Sequence, residues 1–211
     1  ASLCEKAGGD IKEVAKGMGL DGRIGSKFLH AGPGYGGSCL PKDTKALAKL
    51  GDIFGAPQKI TETVIKVNND IKLRMFDKIR KSAGETLDEK IICILGVTFK
   101  PETNDMREAP SLTIIPKIIE AGAIVRVVDP QGHKQGKRIL GKKVDWYDSP
   151  YEAAQGADMI VILTEWNEFR TLDLASLKTV MRTTSFVDLR NIYSKKEILD
   201  IGFESYVAIG R

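Results

Sequence analysis

The 211 residues are 42% hydrophobic and 28% charged, the balance of a soluble globular protein with more than one average domain and fewer than three. No apolar run approaches the ~18 residues of a membrane span, and no signal peptide opens the chain. A formal charge of +4, carried by scattered lysines, excludes the clustered basic stripe of a nucleic-acid-binding protein.

Ser2-Leu3-Cys4-Glu5-Lys6 reads like the tail of a helix, so the chain is expected to be a piece of a longer protein. Asp10 can cap a short helix that sets Ile11, Val14, Ala15 and Met18 on one side. Residues 19–38 are rich in glycine and form a long loop. Pro41 suits the first turn of a helix running through Ala46, Leu47 and Leu50 and stopping at Gly51. The longest periodic segment follows, with Ile60, Val64, Val67, Ile71, Met75 and Ile79 every three or four residues. A helix from Gln58 to Ala83 would be about 40 Å long at ~1.5 Å per residue. That length suits a structural spine or a subunit interface, with an ordinary surface helix as the alternative.

The polar stretch from Ser82 to Lys90 marks a domain boundary, giving regions 1–89 and 90–211. Ile91 to Leu95 is a short apolar run of the kind found in buried parallel strands. A helical stretch from Ser111 to Ala121 comes next, with Pro116 expected to kink it or shift its start. Further strands are expected at Ile124–Val128, Val144–Tyr147, Met159–Leu163, Ser185–Asp188 and Ser205–Ile209, with a helix over Lys195–Ile201. Strands alternating with helices imply βαβ units, hence a parallel sheet with helices on both faces.

Three widely spaced cysteines, Cys4, Cys39 and Cys93, argue against a disulfide framework and for a reducing, cytoplasmic setting. Two distant histidines, His30 and His133, and no C-x-x-C make a metal site unexpected. Gly32, Gly34 and Gly37 match G-x-G-x-x-G, and Asp52 lies where a ribose-binding acid would be. The preceding residues are no strand and no strand follows the next helix, so the dinucleotide reading fails. The sheet region has only Gly96 in its first turn, so it lacks the fingerprint too. What remains is a glycine loop feeding Ser38-Cys39-Leu40-Pro41-Lys42-Asp43. A cysteine just before a helix start, one turn from a lysine, is placed to be an activated nucleophile. A small buried residue in a tight turn is the alternative.

Residues 32–47, Gly-Pro-Gly-Tyr-Gly-Gly-Ser-Cys-Leu-Pro-Lys-Asp-Thr-Lys-Ala-Leu, resemble the active-site segment of the UDP-glucose and GDP-mannose dehydrogenase family. Other segments resemble it in the same order: Gly22 to Leu29, Gly96 to Lys100, Thr103 to Glu108, Thr164 to Trp166 and Val187 to Arg190. The resemblance covers nearly the whole chain. Tyr35 and the run Asp43 to Leu47 favour UDP-glucose as substrate, with GDP-mannose as the alternative.

The resemblance implies an α/β fold: a helical central dimerisation region with a long spine helix, then a Rossmann-like parallel-sheet domain that binds the nucleotide sugar. It implies a homodimer and two NAD-dependent oxidations at the sugar C6 that pass through an aldehyde. Cys39 is then the nucleophile that forms a thiohemiacetal and a thioester, and Asp43 positions or activates the hydrolytic water. Lys42 and Arg107 face the cofactor. Phe28, Gly34, Gly36, Phe99, Lys100 and Arg190 hold the substrate, and Arg23 reaches the neighbouring subunit's site. His30 stands where other members often carry Lys. Glu165 and Trp166 receive no role, and Cys4 and Cys93 read as structural. The family's catalytic Lys and Asn, and its NAD-binding domain, precede the stretch resembled here. The isolated chain is therefore expected to be inactive, or to act as a non-catalytic binding and dimerisation module.

Overall fold

The computed structural model describes residues 1–211. Four helices come first: α1 (Ser2–Ala7), α2 (Ile11–Gly19), α3 (Cys39–Ile53) and α4 (Lys59–Ser82). Asp10 caps α2 by accepting from Lys12 N at 2.7 Å, yet α2 buries no residue. Gly51 does not end α3, which runs on to Ile53. Its lack of a side chain serves the next turn instead, because a Cβ there would stand 2.7 Å from the Ala56 carbonyl. The spine helix α4 is present as the periodicity predicts.

Six strands follow: β1 (Ile91–Leu95), β2 (Ile124–Val128), β3 (Asp145–Trp146), β4 (Met159–Ile162), β5 (Ser185–Asp188) and β6 (Ser205–Ala208). All pairings are parallel, in the order β3-β2-β1-β4-β5-β6. The helices are α5 (Ser111–Glu120), α6 (His133–Leu140), α7 (Pro150–Ala154), α8 (Leu174–Val180) and α9 (Lys195–Asp200). Pro116 lies inside α5 without shifting its start, though its missing N–H leaves the Leu112 carbonyl without its helical partner.

The two-residue period of the strands sorts the core into two layers. Ile92, Ile94, Val125, Val127 and Val161 pack on one face with Ile114 and Ile118 of α5. Met75 and Ile79, from the last turns of α4, are fully buried in that same layer. Cys93, Leu95, Ile160, Ile162 and Phe186 pack on the other face under Ala153, Leu177 and Ile198. The spine helix therefore ends as part of the sheet's core. No helix is long and apolar enough to cross a membrane.

Three helices were not anticipated. The sequence of α6 is nearly all polar, and α7 has five residues. The third, α8, did carry a signal, since Asp173 caps it by accepting from Ser176 N and buried Leu174 and Leu177 follow at helical spacing.

Candidate active site

The glycine loop lies against α4 and the segment that follows β1. Asn68, buried on α4, accepts from Tyr35 N at 2.8 Å and donates back to Tyr35 O at 3.2 Å. Gly37 N donates to Arg107 O at 2.7 Å, which ties the loop to the β1–α5 connection. A Cβ at Gly36 would stand 2.6 Å from Glu108 O, and one at Gly37 would stand 2.8 Å from the Phe99 ring. At Gly34, with φ of +117°, it would meet Asn68 Oδ1 at 2.9 Å. Each of these glycines thus has a packing reason within the chain itself. Buried Lys72 completes the seam by donating to Glu108 O at 3.1 Å. Burial pushes its amine below the usual lysine range, against the pull of Glu108. The hydrogen bond from Lys45, 2.8 Å away, holds the Glu108 carboxyl below its ordinary value.

That seam delivers Cys39 to the surface as the first residue of α3, with Ser38 as the N-cap, rather than just before the helix. Lys42 and Asp43 follow at positions that share its helix face, and they pair with each other at 3.2 Å. The exposed thiol excludes the buried-turn reading of Cys39. Arg107 makes a two-pronged contact with Asp105, Nε at 3.0 Å and Nη2 at 2.8 Å, which raises its pKa further.

Phe99 is half-buried under the loop, and exposed Lys100 places its Nζ 5.5 Å from the Phe99 ring centre. Arg190, after β5, is held from three sides. Its Nε donates to Leu163 O at 2.7 Å, and its Nη2 donates to Phe99 O at 3.1 Å. Glu165 lies 3.0 Å from the same Nε, an ion pair without hydrogen-bond alignment, because the Nε–H is directed at Leu163. Burial lowers the Arg190 pKa, opposed by Glu165 and Asp188. Its other side faces the loop, since a Cβ on Gly32 would stand 3.3 Å from Arg190 Nη1. Phe99 and Arg190 thus meet at the carboxyl ends of parallel strands, where open α/β sheets bind their ligands.

Two expected residues stand apart. Arg23 is exposed and paired only with Asp21. Phe28 is 98% exposed at a φ of +66°, so it is no core residue. A cavity of about 690 Å³ is lined by Arg190 together with Lys12, Lys16, His30, Glu165 and Arg170 among others. Cys39 does not line it. Lys12, Lys16 and Arg170 went unnoticed in the sequence, although the first two sit four apart on α2.

A sequence model of the UDP-glucose/GDP-mannose dehydrogenase family central domain matches residues 1–70, and one of the family's UDP binding domain matches residues 93–195. The chain belongs to this family. It is 49% identical over 211 residues to a UDP-glucose 6-dehydrogenase of Rhizobium meliloti, covering all of this chain and 48% of that protein. It is 41% identical to one from Bacillus subtilis, covering all of this chain and 45% of that protein. A solved UDP-glucose dehydrogenase from Pyrobaculum islandicum superposes with a TM-score of 0.85 at 30% identity, over 97% of this chain and 44% of that one. The chain thus spans about half the length of the curated relatives it matches.

No residue set in this chain fits a dinucleotide in the way the fold would bind one. Gly32, Gly34 and Gly37 follow no strand, and they pack on α4, Phe99 and Arg190. The first turn of the parallel sheet is taken by the carboxylate of Asp129.

Proposed function

We propose that the chain is the substrate-holding part of an NAD-dependent UDP-glucose 6-dehydrogenase, with the cofactor held mainly by residues outside it. In this reading residues 1–89 are the central region and 90–211 the UDP-binding domain. The observation that carries it is the convergence of the Cys39 loop on Phe99 and Arg190 at the carboxyl ends of β1 and β5. Lys100 and Arg190 supply cations for a diphosphate, and Phe99 a ring for the nucleoside. Gly34 and Gly36 let the loop pack tightly on Asn68 and Glu108, which leaves its outer backbone edge for the sugar.

Cys39 would carry the sugar carbon first as a thiohemiacetal and then, after oxidation, as a thioester. Water attacks the thioester carbon, the C–S bond breaks, and acid and thiol are released. Asp43, on the same helix face, is placed to orient that water. Lys42 and Arg107 border Cys39 on the side proposed for the cofactor. Arg23 and Phe28, exposed and away from the cluster, suit contacts with a second subunit's site in a homodimer.

Calorimetry of this chain with UDP tests the reading. UDP should bind better than GDP. Arg190→Ala or Lys100→Ala should weaken UDP roughly tenfold or more, as expected for losing one charge-assisted hydrogen bond. If UDP and GDP bind alike, or if Arg190→Ala binds as well as the parent chain, the substrate assignment fails.

A further inference from the structure

The strand order reverses between β1 and β4, and a doubly wound sheet binds its dinucleotide in the crevice at that switch point. There the pyrophosphate takes N–H groups from the turn after β1. Here those donors are occupied. Asp129, directly after β2, turns its carboxylate into the crevice. Its Oδ2 accepts from Val97 N at 2.6 Å and Thr98 N at 3.2 Å. Gly96, at a φ of +85°, sets up the turn that aims these successive N–H groups at one oxygen, as in an anion nest. The Oδ1 accepts from Gly132 N at 2.6 Å and Gln131 N at 3.1 Å, at the start of α6. Asp129 is only 5% exposed. No lysine, arginine or histidine pairs with it, so the carboxylate is held by neutral donors alone, as a bound phosphate would be.

The crevice is also roofed. Trp166 follows β4, yet its Nε1 reaches Asp129 Oδ2 at 3.3 Å, so the indole crosses the end of β1, which lies between β2 and β4. It is 1% exposed. Thr164 Oγ1 donates to Thr98 O at 2.6 Å, and a Cβ on Gly96 would stand 2.4 Å from Thr164 Cβ.

We propose that Asp129 is a built-in anion that fills the pyrophosphate nest of this sheet, and that with Trp166 it bars a dinucleotide from the switch-point crevice. Ligand binding is thereby left to the outer side of the same turn, where Phe99 and Lys100 project. Asp129 is a specificity-determining and positioning residue, because the nest it fills lies directly before Phe99.

Anion rescue tests this. Removing the carboxylate vacates the nest, and inorganic phosphate should then enter it. The full chain is melted as wild type, Asp129→Ala and Asp129→Ser, in phosphate and in chloride of equal ionic strength. The serine hydroxyl still caps Gly132, so that variant keeps the start of α6. Both variants should melt on the order of 5–10 °C lower than wild type in chloride. Phosphate at roughly tenfold excess over its Kd should return about 3 °C or more to the variants and not to wild type. The Val97 and Thr98 amide resonances should move with phosphate in the variants alone. Equal phosphate response in wild type and variants, no response in any, or variants that refold in neither salt would overturn the proposal. The readout uses no UDP, so its failure is separable from failure of the substrate assignment.

Discussion

The helical region and the sheet region use apolar residues in opposite ways. The largest fully buried side chains all lie at Met75 or later, among them Trp166, Phe169 and Phe186. The exposed large hydrophobics all lie before Met75, except Ile124, Ile139 and Leu199. The sheet therefore covers its own apolar surface, while α2, α3 and the first turns of α4 leave theirs bare. Both regions are equally well patterned in sequence. An apolar stripe at helical spacing shows that a face will be covered, and leaves open whether the same chain covers it. In the homodimer proposed above, a second copy would cover these bare stripes.

Cysteine labelling gives the largest expected contrast between the regions. Cys39 is exposed at a helix start, whereas Cys93 is fully buried on the central strand β1. Burial pushes the Cys93 thiol up to about 12. Between pH 7 and 9 it stays a thiol, and labelling it requires opening the core. In native protein Cys39 should alkylate on the order of a thousandfold faster or more. Mass spectrometry at several pH values reads the ratio. Comparable rates in folded protein would erase the contrast and argue against a presented thiol at Cys39.

Most of the architecture was legible for one reason. Parallel strands buried on both faces are continuous apolar runs, and Ile91–Leu95 and Met159–Ile162 have no other easy reading, while Ile124–Val128 is interrupted only by the half-buried Arg126. The helix α6 was not legible, because it packs through Gly136 beneath the Trp146 ring and a single core residue, Leu140, which make no apolar stripe. The site divides in the same way. The Cys39 loop carries its chemistry in side chains and could be recognised. The setting of Arg190 depends on the carbonyls of Leu163 and Phe99, and that of Asp129 on backbone N–H groups. Backbone partners leave no mark on residue identity, so neither arrangement could be read before the fold placed the strand ends together.

The spine helix allows the comparison to be made within one element, with the smaller expected effect. Met75 and Ile79 are 1% and 0% exposed, whereas Val64 and Val67 are 43% and 48% exposed on the same helix. Met75→Ala or Ile79→Ala removes packed methylenes from the sheet's core and should destabilise by about 2–5 kcal/mol, cavity included. Val67→Ala removes a half-exposed side chain and should change the stability of the monomer by only about 0.5 kcal/mol. Urea unfolding of each variant at low protein concentration measures the difference. At micromolar concentration the order should be partly reversed in another observable. Val67→Glu would place a charge in the apolar stripe and should shift sedimentation from dimer to monomer, because an unpaired charge is costly to bury. Met75→Ala should leave the dimer in place while lowering its stability. If Val67→Ala costs as much as Met75→Ala in the monomer, the helix is buried by its own chain along its whole length. If wild type already sediments as a monomer, the bare stripe is not an interface with a second copy, and the proposed homodimer fails.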